Sequence, residues 1–189
     1  MPHPDTAERL LDHAQSLIQR RGYNAFSYKD LATAIGIRTA SIHYHFPSKG
    51  DLGTALMQRY HAQLELELER IERTAKTQQQ RLESFIKLYG KTEKQHAICL
   101  CGSLAADRET LSQPLQEAVD RYLKRSQEWV SQQIQRGIAS GEFAARGEPR
   151  DLAATLISGL QGGLILARAR SRPMLQVVER VFLQSLATD

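Results

Sequence analysis

Strand signals are almost absent from this chain of 189 residues, which leaves little room for anything but an all-helical protein. Cysteine is nearly missing too. The two present, Cys99 and Cys101, stand one residue apart, a poor structural staple that fits a reduced, cytoplasmic setting. The first residues, MPHPDTAERL, contain no basic segment followed by an apolar run, so no signal peptide is expected. No stretch is expected to reach the length and apolarity of a membrane span, because the most apolar, Leu152 to Ala169, is interrupted by Ser158, Gln161 and Arg168. Net charge is also low. At +4 with a pI near 9.2 it permits a nucleic-acid partner without demanding one. In the first fifty residues Arg9, Arg20, Arg21, Lys29, Arg38 and Lys49 face Asp5, Glu8, Asp12 and Asp30, so any DNA contact must come from a few placed groups. There is no repeat, no C-x-x-C motif and no glycine loop for a phosphate or cofactor, and neither a cofactor nor an enzymatic activity is expected.

What is present is helical periodicity nearly end to end. Leu10, Leu11, Ala14, Leu17 and Ile18 make one stripe, opened by Asp5 with Glu8 and closed by Gly22. Ser27 and Asp30 form a capping-box pattern for a short helix ending at Gly36; a third covers about Thr39 to His45, and Pro47 stops it. SKGD caps a fourth that runs towards Ile71, and Leu82, Phe85, Ile86 and Tyr89 mark a fifth. AICLCGSLAAD begins a sixth, which should continue until SQP breaks it at Pro114. A long helix then reaches about Ser140, another runs from Pro149 to Ala169, and Pro173 starts the last. The layout suggests a short-helix module over residues 1–50 and a bundle of longer helices over 51–189.

The run His43-Tyr44-His45-Phe46 could bind a metal, run acid–base chemistry or grip a nucleic acid. Residues two apart on a helix point about 200° apart, so His43 and His45 cannot share an ion, and no carboxylate stands nearby to orient a catalytic imidazole. Nucleic acid explains more. Two short helices meet at Gly36; Ala32 sits four residues before it, where a larger side chain would clash, and Leu31, Ile35, Ile37 and Ile42 fill a small core between them. That spacing is a helix-turn-helix, with Arg38, Thr39, Ser41, His43, Tyr44 and His45 on the outer face of its second helix, as groups that bond phosphates or base edges.

FSYKDLATAIGIRTASIHYHFPSKGDL resembles the DNA-binding module of the TetR family of bacterial transcriptional regulators, over about residues 5–55. The turn glycine, the aromatic helix end and F-x-S-K fall in register. The resemblance implies DNA contacts from Thr39, Ala40, Ser41, His43, Tyr44 and His45, with Lys49, Lys29 and Ser27 or Tyr28 holding phosphates. Two positions depart: family members usually carry tyrosine at His43 and often a serine cap at Arg38, which makes Arg38 a candidate base reader. The resemblance further implies a homodimer formed through the last two helices, reading a palindromic operator and released by a small-molecule or electrophile inducer.

Phe85, Tyr89, Tyr122 and Trp129 are candidates for an inducer pocket and equally for ordinary core. HAICLCGSLAAD resembles a TetR subgroup with a C-L-x-G-x-L-A segment, some of whose members sense electrophiles or oxidants through the cysteine that aligns with Cys99. Cys99 and Cys101 lie near a helix N-terminus, which favours thiolate. Simple packing, and metal binding with His96, are the alternatives. The functional reading is a repressor; its rivals are a thiol- or metal-dependent enzyme and a DNA-binding protein with no effector.

Overall fold

The computed structural model describes residues 4–144 and 146–188, the side chains of 4 and 5 excepted, so the Asp5 cap lies outside the described residues. Ten α-helices are seen there: α1 Pro4–Arg21, α2 Tyr28–Ile35, α3 Thr39–His45, α4 Lys49–Thr74, α5 Gln78–Leu88, α6 Gly90–Lys94, α7 Leu100–Ala106, α8 Gln113–Ala139, α9 Pro149–Arg170 and α10 Leu175–Leu186. Short 3-10 turns at Tyr23–Ala25 and Arg108–Thr110 follow α1 and α7. No strand occurs among the described residues.

The chain forms two compact units. The first holds the chain through Gln63 together with Leu100–Tyr122. Here α1 packs on both α2 and α7. Its core joins Leu10, Ala14 and Ile18 to Leu31, Ile42, Leu56 and Leu104. Arg59 ties α4 to α1 through Glu8 and Asp12, both at 2.9 Å. Gly53 is required by a close approach, since a Cβ there would lie 2.6 Å from Leu115 Cδ2 at the start of α8.

The second unit holds Leu64–Cys99 and the chain from Leu123 onward. In it α10 packs on α9 and α5, and α6 packs on α9. Two of its helices are capped from a distance. Glu142 accepts from the amides of Gln78 and Gln79 at 2.9 and 2.7 Å, and Glu93 Oε1 accepts from those of Met174 and Leu175 at 2.6 and 2.9 Å. Each carboxylate takes up orphan donors where the helix dipole also favours negative charge.

Several expectations need correction. The helix expected to continue to Pro114 stops at Ala106, because the Asp107 side chain is bonded to the α1–α2 connection and a 3-10 turn follows. The short α6 has no forecast in the sequence. The last helix begins at Leu175 rather than Pro173, where Glu93 supplies the cap. Pro149–Arg170 does reach the length and composition of a membrane span. Its Ala153, Leu156, Leu160 and Leu164 are buried inside the second unit, while Ile165 and Leu166 of the same helix stay about half exposed.

Candidate functional site

The helix-turn-helix is built from local rules. Ser27 N and Oγ donate to Asp30 Oδ2 at 2.7 and 2.6 Å, and Asp30 N returns a bond to Ser27 Oγ at 3.4 Å, closing the capping box. These bonds hold the Asp30 carboxyl below its ordinary pKa. Gly36 ends α2 in the left-handed region, φ 73°, where a Cβ would be strained, and its amide and that of Ile37 both reach Ala32 O at 3.0 Å. Leu31, Ala32, Ile35 and Ile42 are buried and Ile37 is half-buried, as the small core requires.

The outer face of α3 is open. Arg38, Thr39, Ala40, His43 and Tyr44 are exposed, Tyr44 to 72%, while Ser41 and His45 are half-buried. Arg38 occupies the N-cap of α3 without a side-chain cap bond. His43 turns Nδ1 back to Pro47 O at 3.1 Å; a carbonyl only accepts, so Nδ1 carries the proton and Nε2 can serve an outside partner. Its ring lies 4.8 Å from that of Tyr28. His45 Nε2 is buried with no hydrogen-bond partner among the described residues.

Three of the expected phosphate ligands have internal work. The Ser27 hydroxyl serves the capping box. Tyr28 Oη donates to Phe46 O and Ser48 O at 2.9 and 2.5 Å, pinning α2 to the turn before α4. Burial first, then the Asp51 charge and Tyr23, push its pKa well above the ordinary phenol value. Lys49 Nζ donates to Tyr23 O and Phe26 O at 2.5 and 2.6 Å and lies 4.5 and 4.2 Å from the centroids of the same two rings. Burial lowers its pKa, with Asp107 and Asp30 opposing. Lys29 is exposed and, like Arg38, projects from the module.

The connection from Gly22 to Phe26 is held from a second side that sequence reading missed. Asp107, at the end of α7, accepts from Tyr23 N at 2.8 Å and from Asn24 Nδ2 at 3.1 Å, and Asn24 Nδ2 also donates to Thr110 Oγ1 at 2.9 Å. Ser103 Oγ donates to Ile18 O at 2.8 Å within the core. More than eighty positions separate these partners, and no local pattern announces them.

Of the four aromatic candidates, the second unit brings three together. Phe85 stacks on Trp129 at 5.5 Å and meets Tyr89 at 5.9 Å. Tyr122 belongs to the first unit, where it stacks on Tyr60 at 4.9 Å. Cys99 and Cys101 are thiols, 2% and 0% exposed, and Cys101 Sγ lies 4.0 Å from Met57 Sδ. No cluster of three or more metal-ligating side chains occurs among the described residues, His96 included.

A capped helix-turn-helix presenting an open, polar second helix, carried by a chain of further helices, defines a sequence-reading DNA-binding regulator. Two family models agree: residues 10–56 match the bacterial regulatory proteins of the tetR family, and residues 78–182 match the tetracyclin repressor-like C-terminal domain. The chain belongs to the TetR family of transcriptional regulators. It is similar to a TetR transcriptional regulator from Legionella pneumophila, at 33% identity and TM-score 0.87 over 98% of this chain and 100% of that one. A TetR-family regulator from Agrobacterium tumefaciens is 29% identical, TM-score 0.91, over 97% and 98% of the two chains. The HTH-type transcriptional repressor NemR of Escherichia coli is 24% identical over 87% of this chain and 84% of its own.

Proposed function

We propose that this regulator is a cytoplasmic, homodimeric repressor that binds a palindromic operator and leaves it when a small molecule occupies the second unit. The open face of α3 carries the reading: Arg38, Thr39, Ala40, Ser41, His43, Tyr44 and His45 are set to meet base edges and phosphates, with Lys29 beside them. Ser27, Tyr28 and Lys49 act one step back by fixing the angle at which α2 and α3 are presented.

Dimerisation through α9 and α10 is supported by their surface. Ile165, Leu166 and Val181 are about half exposed, and a groove of about 420 Å³ between these helices is lined by apolar groups including Val177, Val181 and Phe182. Exposed apolar area of this kind marks association surfaces. Gly159 and Gly163 face Val178 of α10 and serve packing within the chain, whereas Gly162 has open space above it. A two-fold dimer sets two recognition helices about 34 Å apart, one duplex turn.

The burial of Cys99 and Cys101 favours a reversible ligand beside Phe85, Tyr89 and Trp129 over thiol modification as the signal. Release follows from a coupling free energy: an inducer that prefers a conformation with altered recognition-helix spacing draws the dimer off its operator. The lever is α7, whose Ser103 and Asp107 grip α1 and the α1–α2 connection.

The test is operator affinity on the DNA flanking its own gene, with and without a thiol-modifying electrophile, for the wild type, Cys99→Ser and Cys101→Ser, with oligomeric state measured by sedimentation. This reading expects a dimer, tight binding, and no release of any of the three proteins by electrophile at doses that leave them folded. Release of the wild type but not of Cys99→Ser would replace the reversible ligand by a thiol switch. A monomer that binds no flanking DNA would end the repressor reading.

A further inference from the structure

Hydrogen-bonding groups that a folded chain buries are normally satisfied, and those that are not call for a reason. Helix α8 carries three such groups on one face. Ser126, Trp129 and Gln133 are 1%, 3% and 0% exposed, and Ser126 Oγ, Trp129 Nε1 and Gln133 Oε1 have no hydrogen-bond partner among the described residues. Spacings of three and four residues align them along one side of the helix, over about 10 Å of its axis. The Gln133 amide is oriented by its other end, since Nε2 donates to Glu72 Oε1 at 3.1 Å and to Trp129 O at 3.2 Å. Both of those partners only accept, so the amide is not reversed and its oxygen is the orphan.

The surroundings limit what these groups can meet. The stack of Phe85 on Trp129 makes an aromatic wall. Trp129 also lines a groove of about 490 Å³ with Leu68, Glu69, Glu72, Arg73, Arg125 and Gln132, a size suited to a small organic molecule and a way in from solvent. Glu72 and Arg125 are already paired, whereas Glu69 and Arg73, opposite in sign, are exposed. Arg125 is bidentate to Glu65 at 2.7 and 2.9 Å, and Glu72 meets Arg81 at 3.5 Å and Arg136 at 3.3 Å. The three orphan groups themselves carry no charge, so a charged ligand seated on them would lie without a counter-ion there, at a large desolvation cost.

We infer that the Ser126–Trp129–Gln133 face of α8 is the recognition strip for an uncharged ring-sized ligand that carries both a carbonyl acceptor and an N–H or O–H donor, the amide or lactam class. The indole N–H donates to the ligand carbonyl, Gln133 Oε1 accepts from the ligand donor, and the Ser126 hydroxyl can turn to serve either. The inference rests on the proposed ligand-responsive reading and names the chemistry of its ligand.

Trp129 is the only tryptophan in the chain, so its emission reports on this strip directly. Intact protein is titrated with benzamide, benzoate, benzylammonium and toluene as probes. Benzamide is expected to shift the emission saturably and to bind about tenfold or more tighter than the other three, the worth of one or two buried hydrogen bonds. Gln133→Leu removes the acceptor and Ser126→Ala the hydroxyl, both leaving the reporter in place. Each should cut the preference for benzamide over toluene several-fold while thermal unfolding stays cooperative. Equal binding of benzamide and toluene, a preference for either ion, no saturable shift, or an unchanged preference in both folded variants each overturns the inference. Operator binding by the same preparations separates the two levels: if it persists while benzamide fails, only the ligand class falls, and if operator binding itself is missing, the repressor reading falls with it.

Discussion

Asp107→Ala removes one carboxylate and with it the hold of α7 on the connection between α1 and α2. The bond to Tyr23 N is short, part-buried and charge-assisted, and such bonds are worth about 1.5–3 kcal/mol. The bond to Asn24 Nδ2 is exposed and longer, so it adds well under 1 kcal/mol on the scale of solvent-facing polar contacts. Together they predict a loss of about 2–3 kcal/mol, which for a chain of this size lowers Tm by about 5–10 °C. Asp107→Asn keeps an acceptor oxygen without the charge and should lose about half as much. The effect is also local: amide exchange at Tyr23 should accelerate in proportion to the lost stability, while exchange in α10 follows only global unfolding. Operator affinity should fall with it, since the connection sets where α2 begins. Circular dichroism melts, exchange measured by NMR and operator titrations read all three. A Tm within about 1 °C of wild type, with Tyr23 exchange unchanged, would refute the clasp and the lever built on it.

Tyr28→Phe deletes a hydroxyl that bonds two carbonyls and should cost about 1 kcal/mol at neutral pH. Its phenol pKa is raised by folding, so that stability is fully present below the unfolded value of 10.0 and is lost as pH rises beyond it. The gap in Tm between wild type and Tyr28→Phe should therefore narrow above pH 10; a gap that stays constant or widens counts against it. Lys29→Ala should lower the slope of log affinity against log salt by about one, as expected for a lost phosphate contact. Lys49→Ala, whose ammonium is held on Tyr23 O and Phe26 O, should lower Tm and affinity but leave that slope in place, and a slope change equal to that of Lys29→Ala would make it a phosphate ligand. Gly137→Ala should destabilise α8 by about 1–3 kcal/mol despite the better helix former, because its Cβ would lie 2.1 Å from the buried Phe143 ring. A higher Tm for that variant would mean the ring moves aside freely.

The DNA-binding module was readable in the sequence because its rules are local. The Ser27–Asp30 box, the Gly36 stop and the Ser48–Asp51 cap each act within three or four residues. Where partners lie far apart, the sequence was silent. Asp107 reaches back 84 positions to Tyr23, and Glu93 caps a helix 82 positions ahead; both change where a helix ends or begins. Lys49 looked like a surface cation because nothing in its neighbourhood shows two backbone carbonyls and two aromatic rings converging on it. The orphan groups of α8 were hidden for another reason. Serine and glutamine among charged neighbours read as the solvent side of a helix, and only burial sets Ser126 and Gln133 apart from Gln127 or Gln132.

The open face of α3 is set to read a specific DNA sequence. Fluorescence anisotropy on a duplex from the region beside the gene, against a scrambled duplex of equal length at one salt concentration, tests it most directly. Wild type should prefer the native duplex by about a thousandfold or more, and Tyr44→Ala, exposed and free to change without unfolding the module, should lose about tenfold or more of that preference. Equal affinity for the two duplexes, with the protein folded and dimeric, would contradict it.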